Sequence, residues 1–299
     1  MKFFLFFLAV LWIPVGTVAQ TSENKNTLVF RVGLSSSTFD SINQNDAKAA
    51  IKVWTQTVIK EQNLNETAEA MFFNSFETLS QAYKNNRVDA VSMSTEDSMR
   101  LGLELESVYL PVREDGFLVN YAIIVNRNSV AKELGQLANK KLVTCGGQQM
   151  LLARLWFKSV LAEHVPGVDN SRLENLINVE SPAKAILQIF FGQSDAAVIT
   201  TGAFELACEL NPQLRKDLLI LSVSPPFITS FFIFRANWQS PSKERMISAI
   251  LALQTTPGGR QVLNVFGSSG MEKHPGAILD GTRQFLIKNE HLIQNGLFK

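Results

Sequence analysis

The chain has 299 residues, 28 basic against 27 acidic side chains, 46% apolar and 18% charged residues, and two cysteines. That composition is globular and long enough for one large domain or two modest lobes with real cores. Near-neutral charge leaves no electrostatic footprint for nucleic acid or acidic membranes, so neither is an expected partner.

Lys2 followed by the eleven-residue apolar run FFLFFLAVLWI, a Pro14/Gly16 break and Thr17-Val18-Ala19 has the layout of a cleavable export signal over residues 1–19. The run is shorter than the roughly 18 residues a membrane span needs, and no later stretch approaches that length. No cysteine stands at the cut, so no lipid anchor is expected. The mature chain, with Lys2 gone, carries 27 basic and 27 acidic residues and is expected to be a monomer in the periplasm, without direct membrane insertion. Export permits a disulfide between Cys145 and Cys208. Each lies in an apolar segment, which fits two buried free thiols equally well.

After a polar lead-in (20–27), residues 28–34 (LVFRVGL) read as a strand and Ser35-Ser36-Ser37-Thr38 as a capping loop. Helical spacing of Ile51, Trp54, Val58 and Ile59 marks a helix within 40–63. A strand over 67–73, a helix capped by Ser75, and a strand over 88–93 followed by Ser94-Thr95 and a short helix complete the first block. Such alternation implies a parallel sheet covered by helices. Two strands in a row follow, 107–112 and 117–126. Alternation then resumes: strand 142–144, helix 148–163, strand 176–179, helix 182–191, strand 196–200, helix 202–209, strand 218–223. Pro225-Pro226 interrupts, 231–234 (FFIF) is a further strand, and the remainder reads as helices over 241–253, 259–266 and 281–294.

Two alternating blocks joined by two extended crossings predict an α/β fold of two lobes, each a mostly parallel sheet flanked by helices. The first lobe takes residues 20–116 and 230–299, the second 117–229, and a ligand cleft lies between them at the hinge. Ligands of such sheets collect at strand carboxyl ends, where helix N-termini favour anions. The loops there are rich in neutral donors: Ser35, Ser36, Ser37, Ser75, Ser94, Thr95, Thr144 with Gly146, Gly147 and Gln148, then Thr200 and Thr201. Together they suit an oxyanion or a zwitterion. Ser and Thr are also the preferred caps of any helix, so many of these hydroxyls have a purely structural use. Tyr121, Phe117 and Phe227 are placed to wall the cleft or to pack in a core. Arg31 and Arg235 lie in first-lobe strands, where they reach a ligand oxyanion or are solvated at a sheet edge.

Catalysis has little support. Ser-x-x-Lys occurs at 129–132, 181–184 and 240–243, without its companion motifs, and no nucleophile elbow or phosphate loop is present. The three histidines, His164, His274 and His291, do not pair at metal-ligand spacing. No cofactor, metal or catalytic residue is expected.

The order of segments resembles the type 2 periplasmic solute-binding fold. Within it the likeness is to the family that binds phosphonate, phosphite and related solutes for ABC transporters. Val88-Asp89-Ala90-Val91-Ser92-Met93, Asp195-Ala196-Ala197-Val198 leading into Thr200, residues 218–226, and 251–266 (LALQTTPGGRQVLNVF) carry the likeness. The resemblance implies a small-molecule ligand and an ABC permease partner. A membrane sensor as partner, or an exported enzyme on the same scaffold, are the alternatives. One departure stands out. The serine-rich loop that cradles phosphonate oxygens in the family corresponds here to Thr144-Cys145-Gly146-Gly147-Gln148-Gln149, which lacks the serine cluster and puts phosphonate itself in doubt.

Overall fold

The computed structural model describes residues 28–39, 43–61, 66–129, 131–138, 140–165 and 176–293. The expected signal segment 1–19 and Asp40 lie outside them. In chain order the strands are β1 (Leu28–Ser35), β2 (Glu66–Phe73), β3 (Ala90–Ser94), β4 (Ser107–Val112), β5 (Tyr121–Asn126), β6 (Leu142–Cys145), β7 (Leu176–Val179), β8 (Ala196–Thr200), β9 (Leu218–Val223), β10 (Ser230–Phe234) and β11 (Gly270–Pro275). The helices are α1 (Ser36–Phe39), α2 (Gln44–Glu61), α3 (Phe76–Lys84), α4 (Thr95–Arg100), α5 (Ala153–His164), α6 (Pro182–Phe190), α7 (Thr201–Leu210), α8 (Pro212–Asp217), α9 (Lys243–Leu251), α10 (Pro257–Val265) and α11 (Asp280–Lys288).

The strands form two sheets. One runs β11-β4-β10-β3-β1-β2 and the other β7-β6-β8-β5-β9. In the first, β1 pairs in parallel with both β2 and β3, while β10 runs antiparallel to β3 with Ser230 opposite Ser94. In the second, β6 pairs in parallel with β7 and β8, and β5 lies antiparallel between β8 and β9. This is the α/β architecture of two helix-flanked sheets that the alternation predicts. The chain passes between the sheets twice, after β4 and after β9, and the two passages touch where Val119 and Phe227 exchange backbone hydrogen bonds, each 2.8 Å long.

Each sheet is covered on both faces, as parallel sheets must be to bury their apolar strands. On one face of the first sheet Phe30, Trp54, Trp238, Met246, Ile250 and Leu263 pack with α2, α9 and α10; on the other lie Leu79, Met93, Leu110, Phe231 and Ile233. The second sheet buries Ile123, Val125, Trp156, Phe157 and Leu161 on one side, and Ile124, Ile186, Ile199 and Phe204 on the other. Leu286 and Leu292 join the second-sheet core, and the Phe285 ring packs tilted against Phe227 with centroids 4.6 Å apart, so the C-terminal helix α11 clamps the crossing region.

Three local readings differ from the sequence expectation. The strand read over 117–126 starts only at Tyr121. The helix read from 148 begins at Ala153, behind a 3-10 turn at Gln148–Met150 that follows Gly147, whose φ is 114°. The helical C-terminal stretch contains the edge strand β11, paired antiparallel with β4.

Candidate functional site

The carboxyl ends of β1 and β3 in the first sheet, and of β6 and β8 in the second, carry the hydroxyl-rich loops. Where the sheets approach, Gln148 Nε2 donates to Ser230 Oγ at 2.6 Å, which ties the second-lobe glycine loop to the amino end of β10. Beside that contact opens a cleft of about 1330 Å³. Gly146, Gly147, Gln148, Gln149, Thr200 and Gly202 form its second-sheet wall. Asn264, Ser268, Ser269 and Arg260, from and just after α10, line it as well, and so does the Arg113–Asp115 turn.

Most of the predicted hydroxyls are engaged within the protein. Ser35 and Ser37 both donate to Asp97 Oδ2 at 3.0 Å. Ser94 Oγ caps α4 by accepting from the Asp97 amide, and Ser75 Oγ caps α3 by accepting from Thr78. Thr95 is fully buried and donates to the carbonyl of Ile228, tying α4 to the return crossing. Ser36 opens α1. Thr144 spends its hydroxyl on the carbonyl of Val198 at 2.8 Å. Thr200 caps α7 from the cleft wall, accepting from Ala203, and Thr201 Oγ1 faces the carbonyl of Asn120 at 3.4 Å.

Tyr121 is core. It is fully buried, its hydroxyl donates to the carbonyl of Gln149 at 2.7 Å and accepts from the Leu152 amide at 3.2 Å, and burial pushes its pKa up. It therefore works beneath the glycine loop, fixing the path from Gln149 to Leu152. Gly146 and Gly147 line the cleft, and a Cβ at Gly146 would meet open space.

Arg31 and Arg235 are not in the cleft wall. Both pair with Asp89, at 3.9 and 3.7 Å, and Arg235 also donates to the Val88 carbonyl and to Asn86. These contacts sit at the start of β3, the opposite end of that strand from Ser94. Ser181, the serine of one Ser-x-x-Lys match, caps α6 by accepting from the Lys184 amide. Cys145 and Cys208 are both free and buried, and burial raises both thiols above the ordinary cysteine value. Among the described residues no cluster of potential metal ligands occurs.

The charges of the cleft come from residues that sequence reasoning missed. Arg113 is partly buried, which lowers its pKa while Asp115, at 3.7 Å, opposes that. With its amide turned so that oxygen faces the guanidinium, Gln149 accepts from Arg113 Nε and Nη2. Asp115 reaches over the N-terminus of α7, so close that a Cβ on Gly202 would stand 2.7 Å from its Oδ2. Arg260 brings a second cation and donates to the carbonyl of Gln254 at 3.2 Å. Glu114, Glu205 and Glu209 complete a lining of both signs.

The chain matches the family model of phosphonate ABC transporter periplasmic substrate-binding proteins over residues 46–274, and it belongs to that family. Its fold is that of solved members of the class. PhnD1 from Prochlorococcus marinus, solved with methylphosphonate, is 15% identical with a TM-score of 0.56, covering 88% of this chain and 98% of that one. A chloride-bound protein of Xanthomonas citri, XAC2383, is 14% identical with a TM-score of 0.61, covering 88% and 98%. The binding-protein component of an ABC phosphonate transporter from Pseudomonas aeruginosa is 14% identical with a TM-score of 0.53, covering 89% and 88%. A search of curated proteins gave no match. The chain is thus a solute-binding protein of the periplasmic type, and among its described residues no helix is long and apolar enough to cross a membrane.

Proposed function

We propose that this protein is exported through cleavage after Ala19 and captures a small anionic or zwitterionic solute between its two lobes. It hands the closed complex to an ABC permease, acting as a monomer without cofactor or turnover. The observation that carries the reading is the cleft itself. A glycine loop held from below by Tyr121 lines, together with Arg113 and Arg260, a volume of about 1330 Å³. The two lobes, 20–116 with 230–299 and 117–229, would rotate about the Val119–Phe227 crossings. Ligand favours closure because only the closed state brings donors from both lobes to it. The second-lobe loop offers backbone and two glutamines in place of a serine cradle, and the guanidinium beside it, Arg113, comes from the crossing turn. This favours a solute whose oxyanion is recognised through a guanidinium.

A thermal-shift screen of phosphate, phosphonates, sulfonates, carboxylates and amino acids tests this. A true ligand at 100 times its Kd stabilises the fold by about 2.7 kcal/mol. Absence of any shift across the anionic compounds at millimolar concentration would overturn the reading.

A further inference from the structure

The first lobe holds a second, separate volume of about 110 Å³ between the face of its sheet and helices α2, α9 and α10. Its walls are almost wholly apolar: Val32, Trp54, Phe232, Ile250, Leu253 and Val262. Three polar side chains also border it, Ser92, Gln148 and Ser268. Gln148 and Ser268 are turned to partners elsewhere, the amide to Ser230 and the hydroxyl to the carbonyl of Phe266. Protein cores close voids of this size because atoms around a gap lose dispersion partners on one side. An apolar cavity also gives water too few hydrogen bonds to hold it, so such spaces stay dry and take apolar guests.

Position says which guest. Gln148, Leu263, Phe266 and Ser268 line both this cavity and the cleft. The two volumes therefore share a wall contributed by α10, its following turn and the second-lobe glycine loop. A molecule whose charged end lies against Arg113 and the glycine loop has this cavity as its apolar neighbour.

We propose that the solute is amphipathic: its anionic head is held in the cleft and a short alkyl or aryl tail enters the cavity beneath α10. This rests on the solute-binding reading above. Since a cavity of about 150 Å³ accommodates the six carbons of benzene, a volume of 110 Å³ holds about four carbons.

The test is calorimetric titration of the full-length mature protein with n-alkylphosphonates and n-alkylsulfonates from one to eight carbons. Affinity is expected to rise about fourfold per methylene, then level off or fall once the tail outgrows the cavity. Two variants locate the tail. Val262→Phe, which fills the cavity, should flatten the series while leaving the one-carbon member bound as in the parent chain. Leu263→Ala, which enlarges it, should move the optimum to longer chains, and thermal melts confirm that each variant is folded. A short-headed compound that binds with no chain-length dependence overturns the tail pocket and leaves the solute-binding reading intact. A protein that binds no member at any length overturns the tail pocket, and one that also ignores every compound of the thermal-shift screen overturns the solute-binding reading as well.

Discussion

Gln148 and Ser230 face each other across the two lobes, the glutamine amide donating to a serine hydroxyl that is only 5% exposed. Ser230 opens β10, directly opposite Ser94 at the end of β3. The contact therefore joins the glycine loop of one sheet to the carboxyl edge of the other. Gln148→Ala removes the donor. A neutral hydrogen bond contributes about 1 kcal/mol net, and this one counts only in the closed arrangement. The expected result is a larger radius of gyration in solution scattering for the unliganded variant, together with weaker ligand binding. An unchanged scattering profile would mean that the lobes are held by other contacts.

Arg113 is the strongest candidate for an anion-binding charge, because it lines the cleft partly buried and is held there by Gln149 and Asp115. Arg113→Gln should weaken binding of an anionic solute by about tenfold or more, the equivalent of one charge-assisted hydrogen bond. Titration of parent and variant with the same compound reads this directly. Equal affinities would place the head of the ligand elsewhere in the cleft.

Much of the fold was legible because its central strands have the composition of strands buried on both faces. Residues 121–126 (YAIIVN) and 196–200 (AAVIT) are continuous apolar runs with helices behind them. β11 was not legible, since Gly270–Pro275 reads GMEKHP, and an edge strand can carry such residues because only one side of it must pair. At the site, the hydroxyls were visible but their use was not. Ser35 and Ser37 look like anion donors until Asp97, sixty residues on, is seen accepting from both. Arg113 and Arg260 reach the cleft from a crossing turn and from α10, and no local pattern marks a residue delivered by tertiary packing.

Asp97 serves as the internal acceptor for the first-lobe loop, so its removal takes the acceptor away from the buried Ser35 hydroxyl and from the half-buried Ser37. Asp97→Ala is expected to cost about 2–3 kcal/mol, since a buried donor left alone costs about 1–3 kcal/mol. Asp97→Asn keeps an acceptor oxygen and should cost clearly less. Urea unfolding of both variants makes the comparison. Equal losses would show that the carboxylate charge, and not the pair of hydroxyl bonds, is what the loop needs.

Two glycines near the cleft should respond oppositely to a methyl group. At Gly259 a Cβ would lie 2.0 Å from the backbone carbonyl oxygen of Leu253, which cannot move without shifting α10. Gly259→Ala should destabilise by about 3 kcal/mol, the upper end of overpacking costs. At Gly202 the nearest atom is the end of the Asp115 side chain, which is half exposed and free to turn away. Gly202→Ala should change stability by less than about 0.5 kcal/mol yet alter ligand affinity, because it pushes a carboxylate off the N-terminus of α7. Thermal melts read the first effect and titration the second.

Glu96 links stability to pH. Burial raises its carboxyl pKa above the ordinary value, the neighbouring Asp97 raises it further, and Arg100 only partly opposes them. The folded state therefore holds the Glu96 proton more tightly than the unfolded state, where the group titrates near about 4.3. Between those two values the folded chain carries the extra proton, so this group's contribution to stability falls as pH rises through that window. Above the folded pKa the penalty is complete, and below the unfolded one it vanishes. Glu96→Gln removes the titration while keeping size and polarity. The variant should be more stable than the parent at pH 7, and the difference should shrink to nothing as pH approaches 4. Urea melts of both proteins at the two pH values decide it. A variant that is no more stable at pH 7 would show that Glu96 ionises there without strain, leaving α4 to tolerate two adjacent charges at its start.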